Sequence, residues 1–501
     1  MTRQPERPAW KTLDKDLNRI SQMERATAYV SRPLVAPGVA LVFMVLAGLG
    51  AAVFFGEEPG NFVVVVAAVF GAYMALNIGA NDVANNMGPA VGANALTMGG
   101  AIAIAAVAES AGALLAGGDV VSTISKGIID PTPMAGTHAF IWAMMAALIS
   151  AALWVNLATW VGAPVSTTHS VVGGVMGAGI AAAGLGAVNW PTMGAIAASW
   201  VISPVLGGAI AALFLALIKA KIMYQDDKIE AARRWVPILV AIMVGAFSTY
   251  LALKGLKRVV KIDIGSALLI GLSLAIVSYF ITRPLIHRQS EGMENRNKSL
   301  KALFGLPLVI SAALLSFAHG ANDVANAVGP LAAIVHATEF GDFAAKVAIP
   351  TWVMVIGAFG ISFGLFLFGP KLINMVGSQI TKLNPMRAYC VALSAAITVI
   401  VASWLGLPVS STHIAVGGVF GVGFYREWHM ERRLRSLPAA RAEDASARAR
   451  ATGPVAKEER RRRKLVRRSH FMTIVAAWVI TVPASALISA FAFALLNAIV
   501  G

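Results

Sequence analysis

Long uninterrupted apolar runs are the feature that most constrains how this chain can fold. They extend from Leu34 to Phe55, from Ala135 to Gly162, from Ala388 to Gly406 and from Phe471 to Val500. A helix of about 20 apolar residues crosses the hydrocarbon core of a bilayer. Successive windows give roughly ten to twelve such segments, and the alternation typical of barrel strands is absent. The sequence therefore predicts an all-α polytopic membrane protein with about 10–12 transmembrane helices.

The balance of charge fits a membrane protein better than a nucleic-acid-binding one. The net charge is +16, but only 13% of the residues are charged and 57% are hydrophobic. Lys and Arg gather between the apolar runs, as the positive-inside rule requires of cytoplasmic loops. We therefore predict membrane lipid and no nucleic acid as a partner. The single cysteine, Cys390, excludes an intrachain disulfide.

Polar stretches divide the chain into six predicted regions. These are a cytoplasmic N-terminal tail (1–33), a first membrane block with repeat 1 (34–220), a linker region with two spans and polar loops (221–303), repeat 2 (304–425), a basic cytoplasmic loop (426–470) and a last transmembrane helix (471–501). About 30 polar residues precede the first span, so no cleavable signal peptide is expected. The basic loop is interpreted as solvated, with contact to anionic lipid as the alternative.

Two sequence motifs occur twice, in the same order. Gly79–Pro89 recurs as Gly320–Pro330, and Pro164–His169 recurs as Pro408–His413. The distance from the Asn before the motif Asp to the first Pro of the second motif is 83 residues in one copy and 86 in the other. Such an internal repeat is typical of secondary transporters. We expect the two copies to be inverted relative to each other.

The first motif puts an acid inside an apolar segment. Asp82 and Asp323 are each flanked by Asn and followed by Gly-Pro, which interrupts the helical hydrogen bonds. A carboxylate at membrane depth is costly and usually functional, although Asp and Asn also cap half-helices. We predict that each acid binds a cation or a proton and thereby couples it to transport of an anion. The flanking asparagines are predicted for binding of the transported anion (Asn81 and Asn322) and for cation or proton coupling (Asn85 and Asn326).

The second motif places three hydroxyls in a row after a proline. Such a row suits a helix N-terminus, where amides, hydroxyls and the positive end of the dipole bind an oxyanion. The alternative is ordinary capping and back-bonding in an apolar helix. His169 and His413 close the motif and either donate to the anion or orient the loop. The predicted anion-binding hydroxyls are Ser166, Thr167, Thr168, Ser410, Ser411 and Thr412.

Two further polar residues lack a counterpart in the other copy. Glu109 is predicted as a third cation or proton site, with a buried and paired acid as the equal alternative. The second copy has no acid at the aligned place, expected near Thr351 to Gly357. His319 stands where the first copy has Ile78 and is interpreted as a local hydrogen-bonding residue rather than a ligand.

These duplicated segments in a polytopic chain resemble the inorganic phosphate transporter (PiT) family. The resemblance implies a helical carrier with two inverted repeats, re-entrant hairpins at the hydroxyl motifs, and symport of phosphate with Na⁺ or H⁺. It also implies that a divalent metal can accompany phosphate in proton-coupled members. The family's motif acids match Asp82 and Asp323, its hydroxyls match Ser166 to Thr168 and Ser410 to Thr412, and its glutamate matches Glu109.

The sequence thus predicts a symporter of inorganic phosphate in a bacterial inner membrane. Asp82 and Asp323 would be the metal ligands if the coupling ion is Na⁺. No P-loop or hydrolase motif is present, so the chain is predicted not to be an enzyme and to have no cofactor beyond the co-transported ion. A sulfate permease of the same fold, an anion channel and a phosphate-sensing receptor are the alternatives. A homodimer is a further prediction.

Overall fold

The computed structural model describes residues 34–56, 60–161, 165–254, 262–342, 349–375, 383–435 and 468–500. The predicted N-terminal tail (1–33) and most of the predicted basic loop (436–467) lie outside the described residues. Within the described part the structure is helical, and its one β-type pairing is an isolated bridge between Ile129 and Val188. The predicted all-α class is therefore confirmed.

Seventeen α-helices are numbered here in chain order, within the described residues. They are α1 (Leu34–Phe55), α2 (Asn61–Asn81), α3 (Val83–Gly92), α4 (Met98–Ala116), α5 (Gly118–Ser122), α6 (Thr137–Val161), α7 (Thr167–Ala183), α8 (Trp190–Ile218), α9 (Lys228–Lys254), α10 (Ile264–Ser290), α11 (Asn297–Leu303), α12 (Gly305–Asp323), α13 (Ala325–Phe340), α14 (Thr351–Met375), α15 (Pro385–Trp404), α16 (Ser411–Arg435) and α17 (Arg468–Val500). A π-helical turn at Lys219–Met223 extends α8.

Eleven helical segments in the described ranges are long and apolar enough to cross a membrane, which agrees with the predicted ten to twelve. Two of these segments consist of consecutive helices, α2 with α3 and α12 with α13. Large apolar side chains such as Leu213 and Phe366 point outward. In a bilayer a helix satisfies its own backbone groups, so an outward apolar face can meet lipid without cost.

Polar residues fix several helix ends at the boundaries of these spans. Asp263 caps α10 by accepting bonds from the amides of Gly265 and Ser266. Asn189 and Asn384 cap α8 and α15 in the same way. Each cap satisfies amides that the first helical turn leaves unpaired.

The two repeats pack reciprocally. Helix α2 packs on α14 and α4 on α12, while α7 packs on α17 and α16 on α8. Glycines let these backbones touch: a Cβ on Gly79 would overlap the carbonyl oxygen of Ile361, and a Cβ on Gly320 would overlap that of Glu109. Small residues at such contacts are typical of membrane helix pairs. The exchange of partners indicates a two-fold relation between the repeats, and their inversion across the membrane stays a prediction.

The region 221–303 between the repeats contains two spans, α9 and α10, which pack chiefly against each other. Much of α10 faces outward, with exposed apolar residues such as Leu269 and Phe280. This pair therefore lies at the edge of the bundle, away from the repeat motifs.

Candidate binding site at the repeat interface

The acidic motifs lie where two spans are broken. The break between α2 and α3 falls at Asp82, and the break between α12 and α13 falls at Val324, next to Asp323. Proline at position 89 or 330 has no amide hydrogen, so the carbonyl four residues earlier loses its usual helical bond. Asp82 occupies the N-cap position of α3, yet its side chain makes no capping bond. Its carboxylate therefore remains available for other partners.

The hydroxyl motifs begin helices, as predicted. Ser166 caps α7 by accepting a bond from the amide of His169 at 3.1 Å. Ser410 does the same at the start of α16, where the amide of His413 donates at 3.3 Å. The positive ends of two helix dipoles and the next hydroxyls along therefore point into the same buried region as the acids.

Each buried carboxylate receives hydroxyls from both repeats. Thr167 donates to Oδ2 of Asp82 at 2.6 Å, and Thr412 of the other repeat donates to Oδ1 at 3.0 Å. Asp323 has the matching pair at longer range: Ser411 donates to Oδ2 at 3.2 Å, and Thr168 Oγ1 lies 3.5 Å from Oδ1, with the Val409 carbonyl as its nearer acceptor at 3.1 Å. Both aspartates are at most 2% exposed. The two predicted motifs thus come together in one site, with contacts that cross between the repeats.

Two asparagines donate hydrogen bonds to the hydroxyls that lie against the carboxylates. The amide of Asn85 donates to Thr412 Oγ1 at 2.9 Å, and the amide of Asn326 donates to Thr168 Oγ1 at 3.1 Å and Thr167 Oγ1 at 3.2 Å. Thr167 and Thr412 donate onward to Asp82, so amide, hydroxyl and carboxylate form short chains. Such chains hold the hydroxyl oxygens in fixed positions.

The asparagines directly before the motif acids, Asn81 and Asn322, bond to α6 and α15, the helices that precede the two hydroxyl motifs. Asn81 donates to Thr159 Oγ1 of α6 at 2.9 Å. The Asn322 amide contacts Ser403 Oγ of α15 at 3.0 Å in either orientation of its amide, and in one of them also donates to Asp323 Oδ1 at 3.0 Å. Their predicted role in phosphate binding stays a prediction.

Three buried side chains converge closely enough to hold one cation. Ligand atoms of Asp82, His319 and Asp323 lie within 4.8 Å of one another. Nε2 of His319 is 2.7 Å from Oδ2 of Asp323, and its Nδ1 is 2.8 Å from Oε2 of Glu109. Glu109 also accepts a bond from the amide of Asn86 at 3.0 Å. Glu109 therefore reaches the carboxylate pair through His319, and its predicted role as a separate cation site stays a prediction.

The counterpart of Glu109 in the second repeat lies at a different position from the one expected. Gly79 lies against Ile361 as Gly320 lies against Glu109, and the hydroxyls of Ser110 and Ser362 meet at 2.7 Å between the repeats. The expected position near Thr351 to Gly357 is therefore wrong, and the counterpart is Ile361. The shift follows from two insertions after the break in repeat 2: α13 has 16 residues and α3 has 10, and the connection to the next span is also longer (341–350 against 93–97).

The two motif histidines contact each other. The rings of His169 and His413 are 4.4 Å apart in an edge-to-face arrangement. His169 also packs on Trp200, with ring centroids 3.8 Å apart. This geometry fits the predicted alternative in which they orient the loops.

The sequence interpretation of His319 as a hydrogen-bonding residue agrees with its contacts to Glu109 and Asp323, but neither these partners nor Asn86 was foreseen. A signal for His319 was present, because His319 and Glu109 are polar residues without a match in the other copy. Unmatched polar residues buried in two otherwise similar copies are candidates for pairing with each other.

Comparisons with known proteins agree with this architecture. Residues 78–489 match the model of the Phosphate transporter family. A Helicobacter pylori protein named "Putative phosphate permease" is 45% identical, over 96% of this chain and 99% of its own length. Inorganic phosphate transporter 2-1, chloroplastic, of Arabidopsis thaliana is 40% identical over 72% of this chain and 65% of its own length.

A solved structure described as "The sodium-dependent phosphate transporter" matches with a TM-score of 0.76 and 33% identity. The match covers 87% of this chain and all of the other. Permeases move solutes and catalyse no covalent reaction, so the prediction that this chain is not an enzyme is confirmed. The match of the family model over most of the length, together with these relatives, shows that the chain is a multi-pass membrane protein that belongs to the phosphate transporter family.

Proposed function

We propose that the chain is a secondary active transporter that carries inorganic phosphate in symport with Na⁺. The observation that carries the proposal is that hydroxyls from both repeats, at two helix N-termini, lie against the carboxylates of Asp82 and Asp323. Carboxylate, hydroxyl and amide oxygens are the ligands that hard cations prefer. The similarity to a structure titled as sodium-dependent supports Na⁺ over H⁺.

The hydroxyl protons supply a physical reason for coupling. A Ser or Thr hydroxyl has one proton to donate and two lone pairs that accept. While Thr167 and Thr412 donate to Asp82, they have no proton left for an anion. A cation on Asp82 takes over the carboxylate oxygens, so the hydroxyls can turn their protons toward phosphate. The cation also removes the repulsion between the carboxylate and the anion.

Binding of either solute therefore favours binding of the other, which is positive coupling between sites. Symport follows if the protein switches between outward-open and inward-open states only when it is empty or fully loaded. In this proposal Ser166 and Ser410 hold the loops, while Thr167, Thr168, Ser411 and Thr412 bind phosphate. Asp82, Asp323, Asn85 and Asn326 hold the cations.

Uptake of labelled phosphate into vesicles reconstituted with the full chain tests the proposal. An inward Na⁺ gradient should drive uptake above the level without a gradient, whereas an inward proton gradient alone should not. Uptake driven only by the proton gradient would replace Na⁺ by H⁺. A divalent metal that accompanies phosphate would show as a metal requirement in the same assay.

Sulfate is the matched competitor because it is also a tetrahedral oxyanion. We expect excess sulfate to leave phosphate uptake nearly unchanged. Saturable sulfate uptake without phosphate uptake would contradict the proposed substrate. Location in a bacterial inner membrane and a homodimer stay predictions; the Helicobacter pylori relative is consistent with the former.

A further inference from the structure

Three cationic side chains meet at one end of the bundle, away from the carboxylate site. Lys219 follows α8, Arg387 lies in the first turn of α15, and Arg426 lies in α16. Helices α8, α15 and α16 pack on one another, and Lys219 Nζ lies over the ring of Tyr425, the residue before Arg426. The three positive charges are near enough to repel one another. All three are half-buried. Among the described residues, no carboxylate forms an ion pair with any of them.

This cation cluster is costly as it stands. Like charges repel, and partial burial removes the water that would screen them. One contact offsets part of the cost, because Nζ of Lys219 lies 4.9 Å from the centre of the Tyr425 ring. An anion that bonded all three side chains at once would relieve the remaining repulsion, and arginine binds phosphate oxygens particularly well.

An apolar groove begins at the same tyrosine. It lies between α8 and α16, whose backbones touch where Gly208 meets Gly417 and Gly421. The groove has a volume of about 760 Å³ and includes Tyr425 in its wall. Its other lining residues include Trp200, Val205, Ala209, Phe420, Phe424 and Trp428. Val205, Phe424 and Trp428 are exposed, so the groove opens on the outside of the bundle.

We propose that the cation cluster and the groove form a binding site for an anionic phospholipid. The headgroup phosphate bonds Lys219, Arg387 and Arg426, and an acyl chain lies in the groove between α8 and α16. A membrane surrounds this face, so the occupant of an outward apolar groove is a lipid chain. Basic pockets between membrane helices bind acidic headgroups, and Tyr and Trp are enriched at headgroup level.

Charge and shape together favour a lipid over a free anion. Free phosphate would satisfy the three cations but would leave the adjoining apolar groove unused. A neutral lipid would fill the groove but would leave the net positive charge of the cluster uncompensated. An anionic phospholipid satisfies both parts, and it ties together α8, α15 and α16, the last of which begins at Ser411 in the carboxylate site.

Native mass spectrometry of the detergent-purified full chain tests the site. Phosphatidylglycerol and phosphatidylcholine with the same acyl chains are titrated separately. We expect phosphatidylglycerol to bind at least tenfold more tightly. Each cation near an anionic lipid contributes about 1 kcal/mol, so each single Gln variant should weaken binding roughly fivefold and the triple variant K219Q/R387Q/R426Q roughly 100-fold.

The control removes the same charge elsewhere. R288Q/K298Q/K301Q changes three exposed cations and should bind phosphatidylglycerol within twofold of the wild type. Ala209→Trp should fill the groove and weaken binding of phosphatidylglycerol without changing any charge. Thermal unfolding of each variant checks folding; if the triple variant unfolds, the single variants decide.

Three results would overturn the proposal. One is unchanged phosphatidylglycerol binding in K219Q/R387Q/R426Q or its single variants. Another is displacement of the lipid by millimolar inorganic phosphate together with normal binding in Ala209→Trp, which would identify a site for free phosphate. The third is loss of a dimer, rather than of lipid, in Ala209→Trp, which would assign the groove to a second copy of the chain.

Discussion

The two halves of the carboxylate site share their hydroxyls and differ in everything behind them. Asp82 and Asp323 each accept one hydroxyl from their own repeat and one from the other. Behind Asp323 stand His319 and Glu109, in hydrogen-bond contact with each other. At the equivalent places near Asp82 stand Ile78 and Ile361, both fully buried in the apolar core.

This difference distinguishes the groups that are present in both halves of the site from those that are present in only one. Duplication preserved the acids, the asparagines and the hydroxyl-bearing helix starts, which are the groups that we assign to the solutes. The ionisable pair occurs on one side alone, and its replacement on the other side is apolar at both positions. A buried polar group without its partner is costly, so the two members are present or absent together.

The largest effect is expected from the two aspartates, which both halves of the site have in common. Asp82→Asn and Asp323→Asn each remove a negative charge that we assign to cation binding, so Na⁺-driven phosphate uptake should fall to background in both. Uptake of labelled phosphate by vesicles with matched protein content measures this. Asp226→Asn, at an exposed acid, is the control and should keep normal uptake. Near-normal uptake in either motif variant would break the equivalence of the halves.

The second largest effect concerns the unshared pair. Glu109→Ile leaves the buried His319 without its Nδ1 partner and should destabilise the protein by about 3–5 kcal/mol. The double variant Glu109→Ile/His319→Ile copies the apolar half and should recover most of that loss. Thermal unfolding in detergent measures both. A double variant less stable than the single one would show that the two halves are not interchangeable in packing.

A smaller and unequal effect is expected from the hydroxyls that cross between repeats. Thr412 donates to Asp82 at 3.0 Å, whereas Thr168 lies 3.5 Å from Asp323, which also has His319 beside it. Longer hydrogen bonds are weaker. Both hydroxyls are assigned to phosphate, and the proton of Thr168 also has the Val409 carbonyl as an acceptor at 3.1 Å. Thr412→Val should therefore raise the phosphate concentration for half-maximal uptake about tenfold, and Thr168→Val about threefold.

A threonine inside one helix gives the matched control for these hydroxyls. Thr398→Val removes a buried hydroxyl that bonds only to the Ser394 carbonyl of α15, and it should change uptake less than twofold. Equal effects of Thr412→Val and Thr168→Val would contradict the inequality of the halves.

The smallest effect is expected in the apolar half. Ile78→Val and Ile361→Val each delete one buried methyl group and should cost about 0.5–1.5 kcal/mol in stability. Neither should change the Na⁺ dependence of uptake, since neither side chain has a polar atom to offer. A clear shift in Na⁺ dependence would show that the apolar half also sets cation binding.

Much of the fold and the shared half of the site could be predicted from the sequence. Apolar runs are long enough to define spans, and an acid or a row of hydroxyls inside such a run is rare enough to stand out. Duplication then showed that Asp82 and Asp323 belong together, as do Ser166 to Thr168 and Ser410 to Thr412. Proline before the hydroxyls marked the helix starts that the structure contains.

The unshared half could not be predicted in the same way. Glu109 and His319 are 210 positions apart and belong to no recurring pattern, so their contact depends on how α4 packs on α12. The counterpart of Glu109 was misplaced because spacing was counted along the chain, and α13 is longer than α3. The orientation of the repeats depends on whether the number of spans between them is odd or even. That number is hard to count from sequence because α6, with 25 residues, is long enough to span, whereas α7, with 17, is short.

The crossing of hydroxyls between repeats has a consequence for ancestry. Asp82 takes one hydroxyl from its own half and one from the far half, and Asp323 does the same in return. A protein with a single repeat would lack one donor for its acid unless a second molecule supplied it. The duplicated chain thus holds in one polypeptide an arrangement that a single-repeat precursor could form only as a homodimer.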